Sequence, residues 1–209
     1  MIDLVLPEAR FDFAAPLMQM HHDRKQVFVD RFGWELPARG SWLEVDEFDN
    51  DFAVYLLARS AEGGHDGSVR LLPSEQPHML ERLFSSLCPA SVPRGPDIWE
   101  ISRLVANPDN FAAGTAVLKV HRLLALALVE FALLNGISRY TLVAEPARIP
   151  ALLSVGWTVT PLGLATEIDG MALQALQIEI HEGTLAQMRR RTRIEGPVLR
   201  LAEPARRAA

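Results

Sequence analysis

Three segments decide the fold: Ile98-Trp99-Glu100-Ile101-Ser102-Arg103-Leu104-Val105, the run 114–135 closed by Gly136, and Tyr140-Thr141-Leu142-Val143-Ala144. The first and third are short, apolar and rich in branched or aromatic side chains. The second carries apolar residues at helical spacing and stops at a glycine. Strand, long helix, strand implies a parallel pair joined by a crossover. The alternation continues with a helix over 146–154, strands over 156–160 and 173–180, and a last helix over 183–193.

Toward the N-terminus the pattern changes. Pro16 suits the first turn of a helix that runs to residue 32, where Gly33 stops it. A strand over 42–46 and two more over 51–59 and 68–72 follow, the latter pair joined by Glu62-Gly63-Gly64-His65-Asp66-Gly67. A short helix over 79–88 leads to a loop punctuated by Pro89, Pro93 and Pro96. The expected class is α/β with a mixed, mostly central sheet flanked by helices. No repeat or Ser/Gly linker divides the chain, so one domain is expected over 1–195, with a flexible tail over 196–209.

Composition narrows the function. The 209 residues are 49% apolar and 22% charged, which is globular rather than disordered. A net charge of −5 disfavours bulk attraction to nucleic acid or anionic membrane. Cys88 is the only cysteine, which excludes an internal disulfide and a multi-cysteine metal site. His65 and His121 lack partners at metal spacing, so no metal is expected. The start of the chain lacks the pattern of a secretory signal. The greasy run 123–134 is interrupted by Glu130 and too short to span a membrane. A cytoplasmic location is expected.

Several charges sit where a bland core does not need them. His21, Arg24 and Phe28 share one helical face. Glu44-Val45-Asp46-Glu47-Phe48-Asp49 follows, with Glu44 and Asp46 pointing the same way in an extended segment. Arg70 lies in an apolar strand, as do Glu100 and Arg103. Charges inside apolar strands are expensive unless paired or presented to a ligand. Each alone reads better as a structural ion pair or a solvent-facing position; together they suit a ligand carrying both signs. Glu100 and Arg103 are three apart, so a regular strand sends them to opposite faces. Serving one cleft requires a bulge or splay between them.

At these residues the sequence resembles the acyl-homoserine-lactone synthases, the autoinducer synthases of bacterial quorum sensing. The matching stretches are Arg24-Lys25-Gln26-Val27-Phe28-Val29-Asp30-Arg31-Phe32-Gly33-Trp34, Glu44-Val45-Asp46-Glu47-Phe48-Asp49, Arg70-Leu71-Leu72-Pro73, Ile98-Trp99-Glu100-Ile101-Ser102-Arg103 and, downstream, Gly156-Trp157. They stand in family order and spacing. Two positions depart: Leu104, where Phe is usual, and His78, where Tyr is common. The resemblance implies an N-acetyltransferase-like fold. It implies S-adenosylmethionine as a substrate rather than a cofactor, and an acyl thioester on acyl carrier protein or coenzyme A as the other. The amine attacks the thioester, and the methionine carboxylate then closes the lactone and expels methylthioadenosine.

The residues supply what that chemistry asks. An α-ammonium must lose a proton, and Glu100 is the candidate base, directly or through a water. Strand amides near Ser102 and Arg103 suit the oxyanion. Asp46 and Asp49 suit the cationic half of the ligand, while Arg24, Arg70 and Arg103 either clamp its carboxylate or hold those acids. Phe28 and Trp34 suit the adenosyl group and sulfonium. Leu123, Thr141, Leu142, Val143 and Leu152 offer walls for an acyl chain, though ordinary core is the better reading for most of them.

Two rivals remain. A coenzyme A-dependent N-acetyltransferase usually carries a glycine-rich turn after its central strand, whereas residues 105–116 hold only Gly114. That absence favours a carrier-protein donor. A non-enzymatic sensor of S-adenosylmethionine or acyl chains would tolerate loss of Glu100. The run Arg189-Arg190-Arg191 reads as a solvated helix end or as a dock for an acidic carrier protein.

Overall fold

The computed structural model describes residues 1–34, 38–39, 42–112 and 114–201. The chain folds as two compact units. The first comprises Met1–Arg70, Arg103–Ala127 and the chain from Val198 on; the second comprises Leu71–Ser102 and Leu128–Pro197. No single cut point in the chain separates them, which is why no linker is visible in the sequence.

In chain order the elements are β1 (Ile2–Val5), α1 (Ala14–Arg24), β2 (Ala38–Arg39), β3 (Leu43–Glu44), β4 (Val54–Arg59) and β5 (His65–Pro73). They continue with α2 (Met79–Arg82), β6 (Ile98–Ala106), α3 (Gly114–Asn135), β7 (Arg139–Ala144), α4 (Ile149–Ser154) and β8 (Thr158–Pro161). Then come β9 (Thr166–Ile168), β10 (Met171–Glu179), α5 (Glu182–Thr192) and β11 (Leu199–Leu201).

Within the first unit the strand order is β11-β1-β4-β5-β6. β1 is antiparallel to β4 and parallel to β11. The tail expected from residue 196 therefore contains a paired strand, anchored where Arg200 and Arg59 both bond the buried Asp3 carboxylate. Residues 202–209 lie outside the described residues. Gly67 in β5 permits a close approach, because a Cβ there would sit 2.5 Å from Val120 Cγ1 and 3.0 Å from the Val105 carbonyl.

The expected first helix continues past α1 with a change of winding. From Lys25 to Arg31 the turns widen, and Phe32 N–H bonds the Val27 carbonyl five residues back at 3.0 Å. Gly33 then stops the helix at a φ of 71°. Phe28 rides on this widened segment.

The second unit has the order β5-β6-β7-β10-β8, with β9 on β10. β6 and β7 are parallel, in register from Ile98 with Arg139 to Glu100 with Thr141, as the strand–helix–strand reading expects. β10 is antiparallel to β7 and β8. Alternation sorts the faces. Trp99 packs edge-on against Phe131, and Tyr140 donates to the Leu128 carbonyl at 2.9 Å, so both look toward α3. Glu100, Thr141 and Val143 look the other way. There Val143 joins a core of Leu80, Leu87, Cys88, Leu173 and Ala175. Cys88 is a small packed side chain whose thiol burial pushes up.

Candidate active site

Arg24, Arg70 and Arg103 converge on Glu44, Asp46 and Asp49 within the first unit. Arg24 Nε donates to Glu44 Oε2 at 2.5 Å, and its two terminal nitrogens grip both Asp49 oxygens at 2.8 and 2.9 Å. Arg70 donates to Asp46 Oδ1 at 2.5 Å, Asp46 Oδ2 at 3.1 Å and Asp49 Oδ1 at 2.9 Å. Arg103 donates twice to Glu44 Oε1, at 3.1 and 3.0 Å, and to Asp46 Oδ2 at 2.7 Å. The Asp46 N–H and the Tyr55 hydroxyl complete Asp49 at 2.9 and 2.8 Å. His21 Nδ1 donates to the Glu44 carbonyl at 2.8 Å.

Three guanidiniums thus face three carboxylates, and the set is neutral overall. Arg24 and Arg70 are each 1% exposed and Glu44 is fully buried, so water does not screen these pairs. Burial alone would raise the Asp49 carboxyl. The Arg24 and Arg70 charges overcome that and hold it far below the ordinary carboxylate range. Burial likewise opposes the charge on Arg70, but Asp49 and Asp46 push its affinity for the proton above normal. At Arg103 burial wins and lowers it, Glu44 only partly compensating. Burial and the Arg24 charge lower His21. Burial and Asp49 raise Tyr55, which therefore stays a hydroxyl donor.

Arg103 joins this set through a distorted strand. Its φ is 53°, a left-handed conformation in a non-glycine residue inside β6, costing roughly 1 kcal/mol or more. It interrupts the regular strand geometry of β6 at Arg103. The Arg103 guanidinium lies over the Phe28 ring, 5.7 Å from its centroid. Phe28 in turn stacks on Trp34 at 5.0 Å with an interplanar angle of 16°. Arg24, Phe28, Trp34, Asp46, Asp49, Arg70 and Arg103 therefore form one continuous constellation.

The other expected residues are distributed differently. Leu123 is half-buried on the first-unit part of α3. Glu100, Ser102, Thr141, Leu142, Val143 and Leu152 belong to the second unit. There Glu100 is buried, and its oxygens accept the Met79 N–H at 3.0 Å and the Leu80 N–H at 2.6 Å. Thr141 is fully buried, with no hydrogen-bond partner for its hydroxyl; the His78 Nε2 and Trp157 Nε1 atoms are likewise buried and unpartnered. Leu142 is buried, while Val143 and Leu152 are half-buried. Arg189 bonds Glu130 at 2.9 Å, so one member of the basic run is already engaged. Among the described residues no group of His, Cys, Asp or Glu is arranged to hold a metal, and no helix is long and apolar enough to cross a membrane.

Sequence reasoning missed Tyr55 as a site residue, since nothing local marks a strand tyrosine as the fourth donor to a turn aspartate. It also gave His65 no role. Its Nδ1 lies 2.6 Å from Asp23 Oδ2 and its Nε2 3.0 Å from Ser68 Oγ, a buried network tying α1 to β5 beside Arg24 and Arg70.

Comparison with known proteins identifies a family. A family model described as autoinducer synthase matches residues 11–188. An acyl-homoserine-lactone synthase of Ralstonia nicotianae is 31% identical over 170 residues, 80% of this chain and 83% of that protein. An isovaleryl-homoserine lactone synthase of Bradyrhizobium diazoefficiens is 34% identical over 166 residues, 78% and 72% respectively. The structure of a CoA-dependent acyl-homoserine lactone synthase, BjaI, with SAM and isopentyl-CoA superposes with a TM-score of 0.88 at 28% identity, covering 98% of this chain and 94% of that one. An N-acetyltransferase structure from Lactobacillus plantarum, 14% identical, superposes at a TM-score of 0.56 over 86% of this chain and 99% of that one, a likeness of fold.

Proposed function

This chain belongs to the autoinducer synthase family of acyltransferase-type enzymes, and on that premise we propose that it acylates S-adenosylmethionine and closes the product to an N-acyl-homoserine lactone. The observation that carries the reading is the buried constellation of Arg24, Asp46, Asp49, Arg70 and Arg103 with Phe28 and Trp34 beside it. It offers both signs of charge and aromatic faces to a substrate that is at once sulfonium, ammonium, carboxylate and purine.

Glu100 takes the proton of the α-ammonium, directly or through a water, and its two backbone N–H bonds fix the orientation of the carboxylate. The freed amine adds to the thioester carbonyl. The resulting oxyanion is met by strand amides at Ser102 and Arg103, where the left-handed turn takes the backbone out of the regular ladder. Collapse passes the second nitrogen proton to the departing sulfur, so a thiol leaves and the neutral amide remains. The methionyl carboxylate then attacks its own γ-carbon, the carbon–sulfur bond breaks, and methylthioadenosine departs. That step needs orientation rather than a further acid or base.

Acyl-coenzyme A is the favoured donor, because the BjaI structure that this chain matches over 98% of its length is of a CoA-dependent synthase solved with isopentyl-CoA. The missing glycine-rich turn argues the other way and carries less weight than that near-complete match. The enzyme is expected to act in the cytoplasm, where both substrates are made. The test supplies purified protein with S-adenosylmethionine and a panel of acyl-coenzyme A and acyl-carrier-protein thioesters, with lactone and methylthioadenosine followed by mass spectrometry. Equal amounts of both products are expected. Free thiol without methylthioadenosine would identify a plain acyltransferase, and binding without turnover a sensor.

A further inference from the structure

Arg24, Arg70 and Arg103 stand on three different elements: the end of α1, β5 and β6. One residue outside the ion-pair set joins all three. His65, at the start of β5, is 1% exposed. Its Nδ1 lies 2.6 Å from Asp23 Oδ2, and its backbone N–H donates to Gln19 Oε1 at 3.1 Å. Gln19 and Asp23 are one turn apart on α1, so the two bonds fix the helix both along its axis and about it. Asp23 is followed directly by Arg24 and then by the widened turns from Lys25. The clamp therefore grips the last regular turn before the winding changes.

The other contacts reach the remaining two elements. His65 Nε2 lies 3.0 Å from the hydroxyl of Ser68, two residues before Arg70 on β5. Asn107, directly after β6, donates its side-chain N–H to the His65 carbonyl at 2.7 Å and its backbone N–H to the Asp66 carbonyl at 2.8 Å. A carboxylate only accepts, so Nδ1 carries the proton, and in the neutral ring Nε2 accepts from the Ser68 hydroxyl. The order carboxylate, imidazole, hydroxyl is that of a hydrolase triad. Ser68 is 1% exposed inside a strand, however, so no substrate reaches its hydroxyl. A buried pair of this kind rarely outdoes apolar packing in stability. What it adds is direction, because hydrogen bonds fix angle and distance where apolar contacts slide.

We infer that His65 is a positioning residue for S-adenosylmethionine, setting the relative placement of Arg24, Arg70 and Arg103 from outside the site. This rests on the synthase reading above. The ammonium and carboxylate of the substrate must meet groups from three elements at once, and a small shift of one element weakens every contact its arginine makes. His65 holds α1 and the end of β6 to β5, so the spacing of the three guanidiniums is set before the substrate arrives. The adenosyl group depends on the clamp less, because Phe28 and Trp34 stack on each other beyond it.

The experiment is calorimetry on the full chain with S-adenosylmethionine and with methylthioadenosine, which has neither the ammonium nor the carboxylate. In the double variant Asp23→Leu, His65→Phe, apolar groups replace both buried partners, so no lone charge is left behind. Its Kd for S-adenosylmethionine should rise about tenfold, while that for methylthioadenosine stays within about threefold. Asp23→Asn, whose amide oxygen still accepts from Nδ1, should keep most of the affinity that the double variant loses. Ser68→Ala disturbs the packing least and should weaken S-adenosylmethionine by about threefold. An equal rise for both ligands in the double variant, or no rise for either, means a merely structural residue and overturns the assignment. If the double variant does not fold, an unchanged Kd in Ser68→Ala overturns it instead. S-adenosylmethionine left unbound by the unchanged protein overturns the synthase reading as well.

Discussion

The two units handle most of their buried polarity differently. In the first, Arg24, Arg70 and Arg103 and the three acids they bind are satisfied by one another, with Tyr55 and the Asp46 N–H filling the remaining positions on Asp49. In the second, buried polar atoms of His78, Thr141 and Trp157 are left without partners, against Arg10 Nε alone among the described residues of the first. A self-satisfied network is rigid, because every change of geometry breaks a charge-assisted bond in a poorly screened place. An unsatisfied group is costly until a ligand or water meets it. The first arrangement suits a fixed receptor for a substrate that never varies. On the proposed function, the second suits the acyl half of the reaction.

The strongest way to break this contrast is Asp49→Asn. It leaves Arg24 and Arg70 short of a buried counter-charge, and chemical denaturation should show a loss of about 3–5 kcal/mol. A loss below about 1 kcal/mol would mean the network does not support the fold. The same carboxyl sets an acid limit. Its pKa is depressed in the folded state from a reference of 3.8, so its contribution is complete above that value and drains away as the pH falls toward the folded pKa. Urea midpoints of the unchanged protein should decline below about pH 4, and those of Asp49→Asn should decline less steeply.

Glu100→Gln addresses the second unit. Lactone formation should fall by about a hundredfold or more in kcat, the range expected for a lost proton acceptor. Near-normal turnover would remove Glu100 as the base. Tyr55→Phe is a smaller probe. It deletes one donor to Asp49 and should cost about 1 kcal/mol in urea melts while lactone synthesis persists. Thr141→Val should have the smallest effect on stability, within about 0.5 kcal/mol of zero or slightly favourable, because the hydroxyl it removes has no partner to lose. A large loss there would show that the hydroxyl is satisfied after all and erase the difference between the units.

The elements of the fold were mostly legible. The parallel β6–β7 pair, the long α3 and the glycine stop at Gly33 follow from period and punctuation. β11 was not legible. Leu199-Arg200-Leu201 is too short to announce a strand, and it becomes one because β1 has an open edge and Asp3 takes Arg200. The site was legible as a list of charges out of place. Its wiring was not, and neither were Tyr55 or the His65–Asp23–Ser68 network, whose partners lie far apart in the chain.

The sequence by itself determined the family, the class of fold and the residue types the chemistry needs, because periodicity, turn residues and buried charge are local and countable. Only the tertiary structure decided who pairs with whom. Which acid holds which arginine depends on bringing the end of α1, β5 and β6 to the acids of β3 and the turn after it. Which nitrogen of His78 is left as an acceptor depends on the one carbonyl that Nδ1 meets. Hydrogen bonds and ion pairs are short-ranged and directional, so their pattern belongs to three-dimensional neighbours and not to spacing along the chain.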